Sequence, residues 1–224
     1  MVGGFALKNV RIWFSKCGTA KYISHLDLNR CMARAFHRAK LPIWYTEGFN
    51  PHAFVTFALP LSLGVEGRRE SMDIRLLEDV PKEELISRLN NGLPTDIRVY
   101  DVTEPQMKPG KITYADYEIH YNAQDRDVHT LAEQLNHLLQ QDEILVQKKA
   151  KSGERTVNLQ GCFGVYELTE EQEVVVLRIT LPAGSVENIN PALFMEAAQR
   201  YLNCTLHAQT VRLNLYDEQM QEFA

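Results

Sequence analysis

The sequence predicts an α+β protein made of two ferredoxin-like (split βαβ) domains in tandem, each an antiparallel sheet with helices on one face. In the first half, hydrophobic patterns follow the order strand, helix, strand, strand, helix, strand. A similar order recurs in the second half, after a segment rich in proline and glycine at residues 104–110. We therefore expect domains at residues 1–105 and 111–224.

The first half begins with a segment that alternates between two faces, with Val10, Ile12 and Phe14 on one of them. Ser24 and Asp27 form a capping-box pair that predicts the start of a helix. In chain order, we predict a strand at 7–17, a helix at 24–39, strands at 53–59 and 71–77, a helix at 81–91 and a strand at 97–102.

The second half carries its strongest strand pattern in the run VVVLRITL. A weaker strand region is interrupted by Gly161 and Gly164. We predict a strand at 112–121, a helix at 128–139, strands at 143–149, 157–168 and 174–181, a helix at 191–202 and a strand at 206–216.

Composition indicates a cytoplasmic protein with no membrane partner. Four cysteines are scattered through the 224 residues without a CxxC pair, which favours a reducing compartment. No apolar run approaches the roughly 20 residues needed to span a bilayer. The first residues lack the basic start and apolar core of a secretory signal.

Charge is unevenly spread along the chain. Residues 1–65 hold eight Lys or Arg against two acids, whereas residues 110–224 hold nine bases against seventeen acids. The basic first part suits an anionic partner. Attraction between the two halves explains the same asymmetry.

Three arginines, Arg30, Arg34 and Arg38, recur at four-residue spacing in the first predicted helix and share one stripe. Guanidinium groups in a row suit the phosphates of a nucleic acid. Lys16 and Lys21 would extend the patch. A charged helix face that merely keeps the helix solvated is the alternative.

Two histidines bracket the most distinctive stretch of the chain. His25 and His52, with Glu47 nearby, are candidates for acid–base chemistry on a phosphodiester, while Asn50 and His52 would hold a nucleotide. Ordinary hydrogen-bonding histidines are the alternative. Asp27 is explained as a capping residue.

Aromatic rings flank the same turn, and a basic segment lies further on. Unpaired bases could stack on Tyr45 and Phe49, whereas Phe54 and Phe57 alternate as core residues do.

The segment KKAKSGER, interpreted as a loop, offers a second anion contact or a solubilising surface through Lys148, Lys149, Lys151 and Arg155. No nucleotide-binding, hydrolase or iron–sulfur motif is present, and no metal or cofactor is expected.

A distinctive set of residues runs through the first third of the chain: Lys16, YISHLD at 22–27, Arg30, Arg34, Arg38-Ala39, Leu41-Pro42, EGFNPH at 47–52, Pro60-Leu61 and Gly64. With these residues the chain resembles the radical-SAM-associated protein family, a domain of unknown function found beside, or fused to, radical SAM proteins. The sequence departs from the family pattern at Ala53, where a proline is usual, and at Asn158, where an acidic residue is usual.

The resemblance implies a stand-alone accessory that works with a separate radical SAM protein, in the company of RNA-processing genes. Three hypotheses follow. The chain is an RNA-binding accessory for modification or processing of tRNA or rRNA; or it is an RNA-processing or RNA-modifying enzyme that uses His25 and His52; or it is a protein adapter for the radical SAM partner without nucleic-acid binding. We favour the accessory over a stand-alone enzyme.

Overall fold

A computed structural model describes residues 7–124, 126–150 and 153–224, without the side chains of residues 149 and 150. The chain forms two compact units. The first reaches to Ile112 and includes Glu222–Ala224, and the second is Thr113–Gln221. Both units mix helices with antiparallel strands, so the α+β class is confirmed.

The first unit contains four strands and two α-helices among its described residues. They are β1 (Lys8–Lys16), α1 (His25–Arg38), β2 (Val55–Phe57), β3 (Val65–Leu76), α2 (Lys82–Gly92) and β4 (Ile97–Thr103). Strand β1 pairs with both β3 and β4, and β2 pairs with β3, all antiparallel. The order across the sheet is therefore β4-β1-β3-β2. Short 3-10 helices occupy Gly18–Tyr22 and Pro109–Lys111.

The core of the first unit lies between one face of β1 and β3 and the two helices. Val10, Ile12 and Phe14 alternate into it, as the sequence predicts, and meet Met32 and Leu89. Helix α1 begins at the N-cap Ser24, whose hydroxyl accepts the backbone N–H of Asp27 at 3.1 Å. The predicted capping box is thus confirmed, and it fixes the direction in which α1 presents its polar side chains.

The second unit has two further helices and six strands among its described residues. They are β5 (Tyr114–Asn122), α3 (Val128–Leu139), β6 (Leu145–Ala150), β7 (Gly153–Asn158), β8 (Tyr166–Glu171), β9 (Val174–Pro182), α4 (Ala192–Leu202) and β10 (His207–Tyr216). The main sheet of this unit runs β10-β5-β9-β8, and β6 and β7 form a hairpin of their own.

Two expectations for strand positions were wrong. Strand β3 begins at Val65, well before the predicted residue 71. The run from Glu66 to Glu70 has a polar pattern in the sequence, yet both glutamates are buried within the strand. The predicted strand at 157–168 is instead the end of β7, a 3-10 helix (Leu159–Cys162) and the start of β8. The segment KKAKSGER is also no simple loop, since Lys148 lies opposite Arg155 in the β6–β7 hairpin.

Candidate nucleic-acid interface

The arginines of α1 lie on its solvent side because the opposite side is buried. Leu28, Met32, Ala35 and Phe36 form the buried stripe. Arg30, Arg34 and Arg38 all lie on the exposed surface, as the four-residue spacing predicts.

The three guanidinium groups differ in what they already contact. Arg30 pairs with Asp27 at 3.0 Å, and Arg38 donates to the backbone oxygen of Gly92 at the end of α2. Arg34 makes neither a hydrogen bond nor an ion pair with any residue that the structure describes. Arg34 is therefore the member of the row with the most donors to offer an anion.

Lys16 and Lys21 do not extend this surface as expected. Lys16 is only 1% exposed, and its amine lies 3.3 Å from the carbonyl oxygen of Ile23. Lys21 is largely buried and lies 3.4 Å from the carboxylate of Glu66. Burial of Lys16 and the ion pair of Lys21 with Glu66 leave little of either amine exposed to a large ligand.

His25, at the first position of α1, has an unusual environment. Its ring packs edge-to-face on Phe57 with 4.9 Å between centroids, and its buried Nδ1 has no hydrogen-bond partner among the residues that the structure describes. Burial, with a smaller contribution from the charge of Lys16, lowers the pKa of His25 below its usual value of 6.5. Both effects favour the neutral form of the imidazole and make His25 a weaker base than an exposed histidine.

The segment from Tyr45 to His52 is a pinned loop. Thr46 donates its backbone N–H to the oxygen of His52 at 2.8 Å, and His52 Nδ1 lies 3.1 Å from both the hydroxyl of Thr46 and the oxygen of Asn50. Gly48 has a φ of +123°, which strongly favours glycine at the turn. Phe49 at the tip is fully exposed, so the loop displays an aromatic ring to solvent.

The proposed acid–base pair is not brought together by any contact in the described part of the chain. His25 contacts Phe57, while His52 hydrogen-bonds within its own loop, and Glu47 is exposed. A catalytic role for these three residues stays a prediction.

Of the aromatic residues, Phe57 packs on the core as predicted, and the half-buried Phe54 lies against Trp44.

The basic segment of the second unit is only partly described. Lys148 donates to the backbone oxygen of Asn188 at 2.5 Å, and Arg155 across the hairpin is exposed. The side chain of Lys149 and all of Lys151 lie outside the described residues. Their predicted contact with nucleic acid stays a prediction.

A hollow in the first unit was not foreseen from the sequence. Trp13, Arg69 and Tyr100 line it, and they come from β1, β3 and β4. Each is unremarkable in its own segment, so only the strand register reveals the grouping.

Within the described ranges, no group of three or more His, Cys, Asp or Glu side chains could hold a metal ion. No helix in these ranges is long and apolar enough to cross a membrane.

The fold and this surface define an α+β protein with an exposed arginine row and a pinned aromatic loop. The chain belongs to a family described as "Uncharacterized protein conserved in bacteria (DUF2344)", whose model matches residues 9–191. The comparison with curated proteins finds no match.

Among solved structures, the chain is similar to one in the crystal structure of a Cbf5-Nop10-Gar1 complex. The sequences are 12% identical and the TM-score is 0.49. The match covers 93% of this chain and 50% of the other, so this chain spans about half the length of the protein it matches.

Proposed function

We propose that this protein is an RNA-binding accessory, built from two ferredoxin-like domains, that works beside a radical SAM protein. The strand order β4-β1-β3-β2, with α1 after β1 and α2 after β3, supports the ferredoxin-like assignment of the first unit. The order β10-β5-β9-β8 supports it for the second, with the β6–β7 hairpin as an insertion. All four cysteines are free, which supports a cytoplasmic location.

The exposed arginine row carries the RNA proposal. Successive arginines are four residues apart, a rise of about 6 Å along a helix, so each can reach a different phosphate of one backbone. Arg34 makes no ion pair in the described structure that a phosphate would have to displace. The exposed ring of Phe49 adds a surface on which an unpaired base can stack.

Replacing Arg34 with Glu is expected to weaken the binding of total tRNA by about tenfold at low salt. Loss of one phosphate contact also lowers the slope of log affinity against log salt by about 0.7–0.9. Filter binding at four salt concentrations measures both effects.

The matched control is Arg88→Glu, since Arg88 is an exposed helical arginine of α2 that already pairs with Glu84. This variant should bind tRNA as the wild type does. Equal losses in both variants would indicate a general charge effect, and a wild-type affinity without a salt slope would contradict phosphate binding.

Exposed apolar side chains beside the start of α1 support the partnership with a radical SAM protein. Tyr22, Leu26 and Leu63 are all mostly exposed. The backbone N–H of Gly64 donates to the oxygen of Lys21 at 2.9 Å, which brings the backbone next to Leu63 and the backbone next to Tyr22 together. Grouped aromatic and aliphatic surface is typical of a protein contact.

Leu26→Asp is expected to reduce at least fivefold the amount of a radical SAM protein that co-purifies with the tagged chain after nuclease treatment. A buried carboxylate in an apolar contact is strongly unfavourable. Val165→Asp is the control, because Val165 is almost fully exposed in the second unit. If nuclease treatment alone abolishes co-purification of the radical SAM protein with the wild-type chain, RNA bridges the two proteins. If Leu26→Asp leaves the co-purified amount unchanged, this apolar surface is not the contact.

A further inference from the structure

A hollow of about 310 Å³ in the first unit lies apart from the arginine row. Strand β1 sends Ile12 and Phe14 into the helix-side core, so Trp13 between them points to the other face of the sheet. The volume falls at the lower end of the range for small-molecule sites. Its lining residues are Trp13, Arg69, Tyr100, Asp101, Thr103, Glu104, Gln106 and Ala224.

The aromatic floor of this hollow is held rigidly. The Trp13 indole N–H donates to the hydroxyl of Thr103 at 2.9 Å. The Arg69 guanidinium lies over the indole, 4.5 Å from the ring centre, and pairs with Glu222 at 3.0 Å. A lining residue fixed on several sides needs little reordering when a ligand enters the hollow.

Tyr100 is placed at the hollow by a strand irregularity. Trp13 lies opposite Asp101 but Phe14 lies opposite Val99, so Tyr100 is an extra residue in β4. A bulge of this kind re-aims a side chain. The ring of Tyr100 is about half exposed, and burial raises its pKa to about 12, so its hydroxyl remains a donor at neutral pH.

The polar lining selects against phosphate. Asp101 pairs with Lys82, which leaves Glu104 as a carboxylate without an ion pair in the described residues. The side chain of Gln106 adds a further acceptor. The Ala224 oxygen already accepts hydrogen bonds from Arg11 and from the backbone N–H of Met107. A group of acceptors beside an aromatic ring suits a flat ring that carries N–H donors, whereas an anion would be repelled by Glu104.

We propose that this hollow binds an unpaired nucleobase with an exocyclic amino group, stacked on Tyr100 with its amino group donating to Glu104. Adenine and cytosine have such a donor, and uracil has none. The site is distinct from the arginine row of α1, because none of those arginines lines it.

Tryptophan fluorescence gives a direct test on the full chain. The sequence has two tryptophans, so Trp44→Phe leaves Trp13 in the hollow as the only reporter. Titration of this variant with free cytidine or adenosine should give saturable quenching with a Kd of about millimolar, as expected for so small a ligand. Uridine should bind at least about fivefold more weakly.

Two further substitutions in the Trp44→Phe background locate the site. Tyr100→Ala should abolish the saturable quenching, and Glu104→Gln should remove the preference for cytidine over uridine. Arg34→Glu should leave both unchanged, which separates this site from phosphate binding by α1. The proposal is wrong if cytidine and adenosine give no saturable quenching, or if Tyr100→Ala does not alter it. Either result would leave tRNA binding by the arginine row unaffected. Equal binding of uridine and cytidine would contradict the contact between the amino group and Glu104.

Discussion

Replacing Arg11 with Met is expected to lower the free energy of unfolding of the first unit by about 3–5 kcal/mol. Arg11 is completely buried, and its guanidinium forms two hydrogen bonds to the carboxylate of Asp73, at 2.7 and 2.8 Å. Removal of the cation leaves Asp73 in a largely buried position without its partner. The cost of an uncompensated carboxylate there is much larger than that of a surface ion pair.

Arg11 also fastens two distant segments to the sheet. It donates to the backbone oxygens of Met107 at 2.7 Å and Ala224 at 2.5 Å, and it lies 4.1 Å from the ring centre of Phe223. Methionine fills part of the volume but donates no hydrogen bond, so both oxygens lose a donor. Arg11→Met with Asp73→Leu should recover part of the lost stability, because the carboxylate is then gone but the two backbone oxygens still lack their donor.

Urea denaturation followed by tryptophan fluorescence measures this effect in the first unit, since both tryptophans, Trp13 and Trp44, belong to it. Arg75→Met on β3 is the matched control. Arg75 lies over Phe54 at 4.3 Å and hydrogen-bonds Asn9 near the surface, so its loss should cost about 1 kcal/mol or less. Equal costs for the two substitutions would contradict the special role of burial at Arg11.

The charge count from the sequence overstated the positive surface of the first unit. The count included Arg11, Lys16 and Lys21, and the two lysines were expected to extend the basic patch, yet all three are buried or largely buried. Two of their carboxylate neighbours, Glu66 and Asp73, lie just beyond the 65 residues that were counted. A count along the chain cannot find such partners, because strand pairing brings them together only in the folded sheet.

Local features were predictable, whereas the register of the strands and the partners of β6 and β7 were not. The arginine row could be predicted because one helix places its members, and the four-residue spacing alone decides that they share a face. The Tyr100 hollow depends on the register of three strands. Likewise, a strand was expected at residues 143–149 and β6 spans Leu145–Ala150, but the sequence could not show that β6 pairs with β7 outside the main sheet.

The buried charges of β3 had no sequence signal. The run from Glu66 to Glu70 reads as polar, which is why the strand was predicted to begin later. In the structure, both carboxylates are almost completely buried and Gly67 lies between them along the strand. Only a glycine leaves room for the side chain of Glu70, and this space leads to a further prediction.

Replacing Gly67 with Ala is expected to destabilise the first unit by about 1–3 kcal/mol, the usual cost of overpacking an interior. A Cβ at this position would lie 2.4 Å from Oε1 and 2.5 Å from Cγ of Glu70, so the buried glutamate must move. Gly110→Ala is the control, because no described residue other than its chain neighbours has an atom within 4 Å of the Cβ position, and it should change stability by less than about 0.5 kcal/mol.

A double-mutant cycle with Glu70→Ala identifies the cause of the loss at Gly67. Truncation of Glu70 removes the atoms that the new methyl group would meet, so Gly67→Ala should cost at least about 1 kcal/mol less in that background. Urea denaturation of the four proteins, again followed by tryptophan fluorescence, gives the coupling energy. The same cost in both backgrounds would show that backbone conformation at residue 67, and not the close approach of Glu70, requires glycine there.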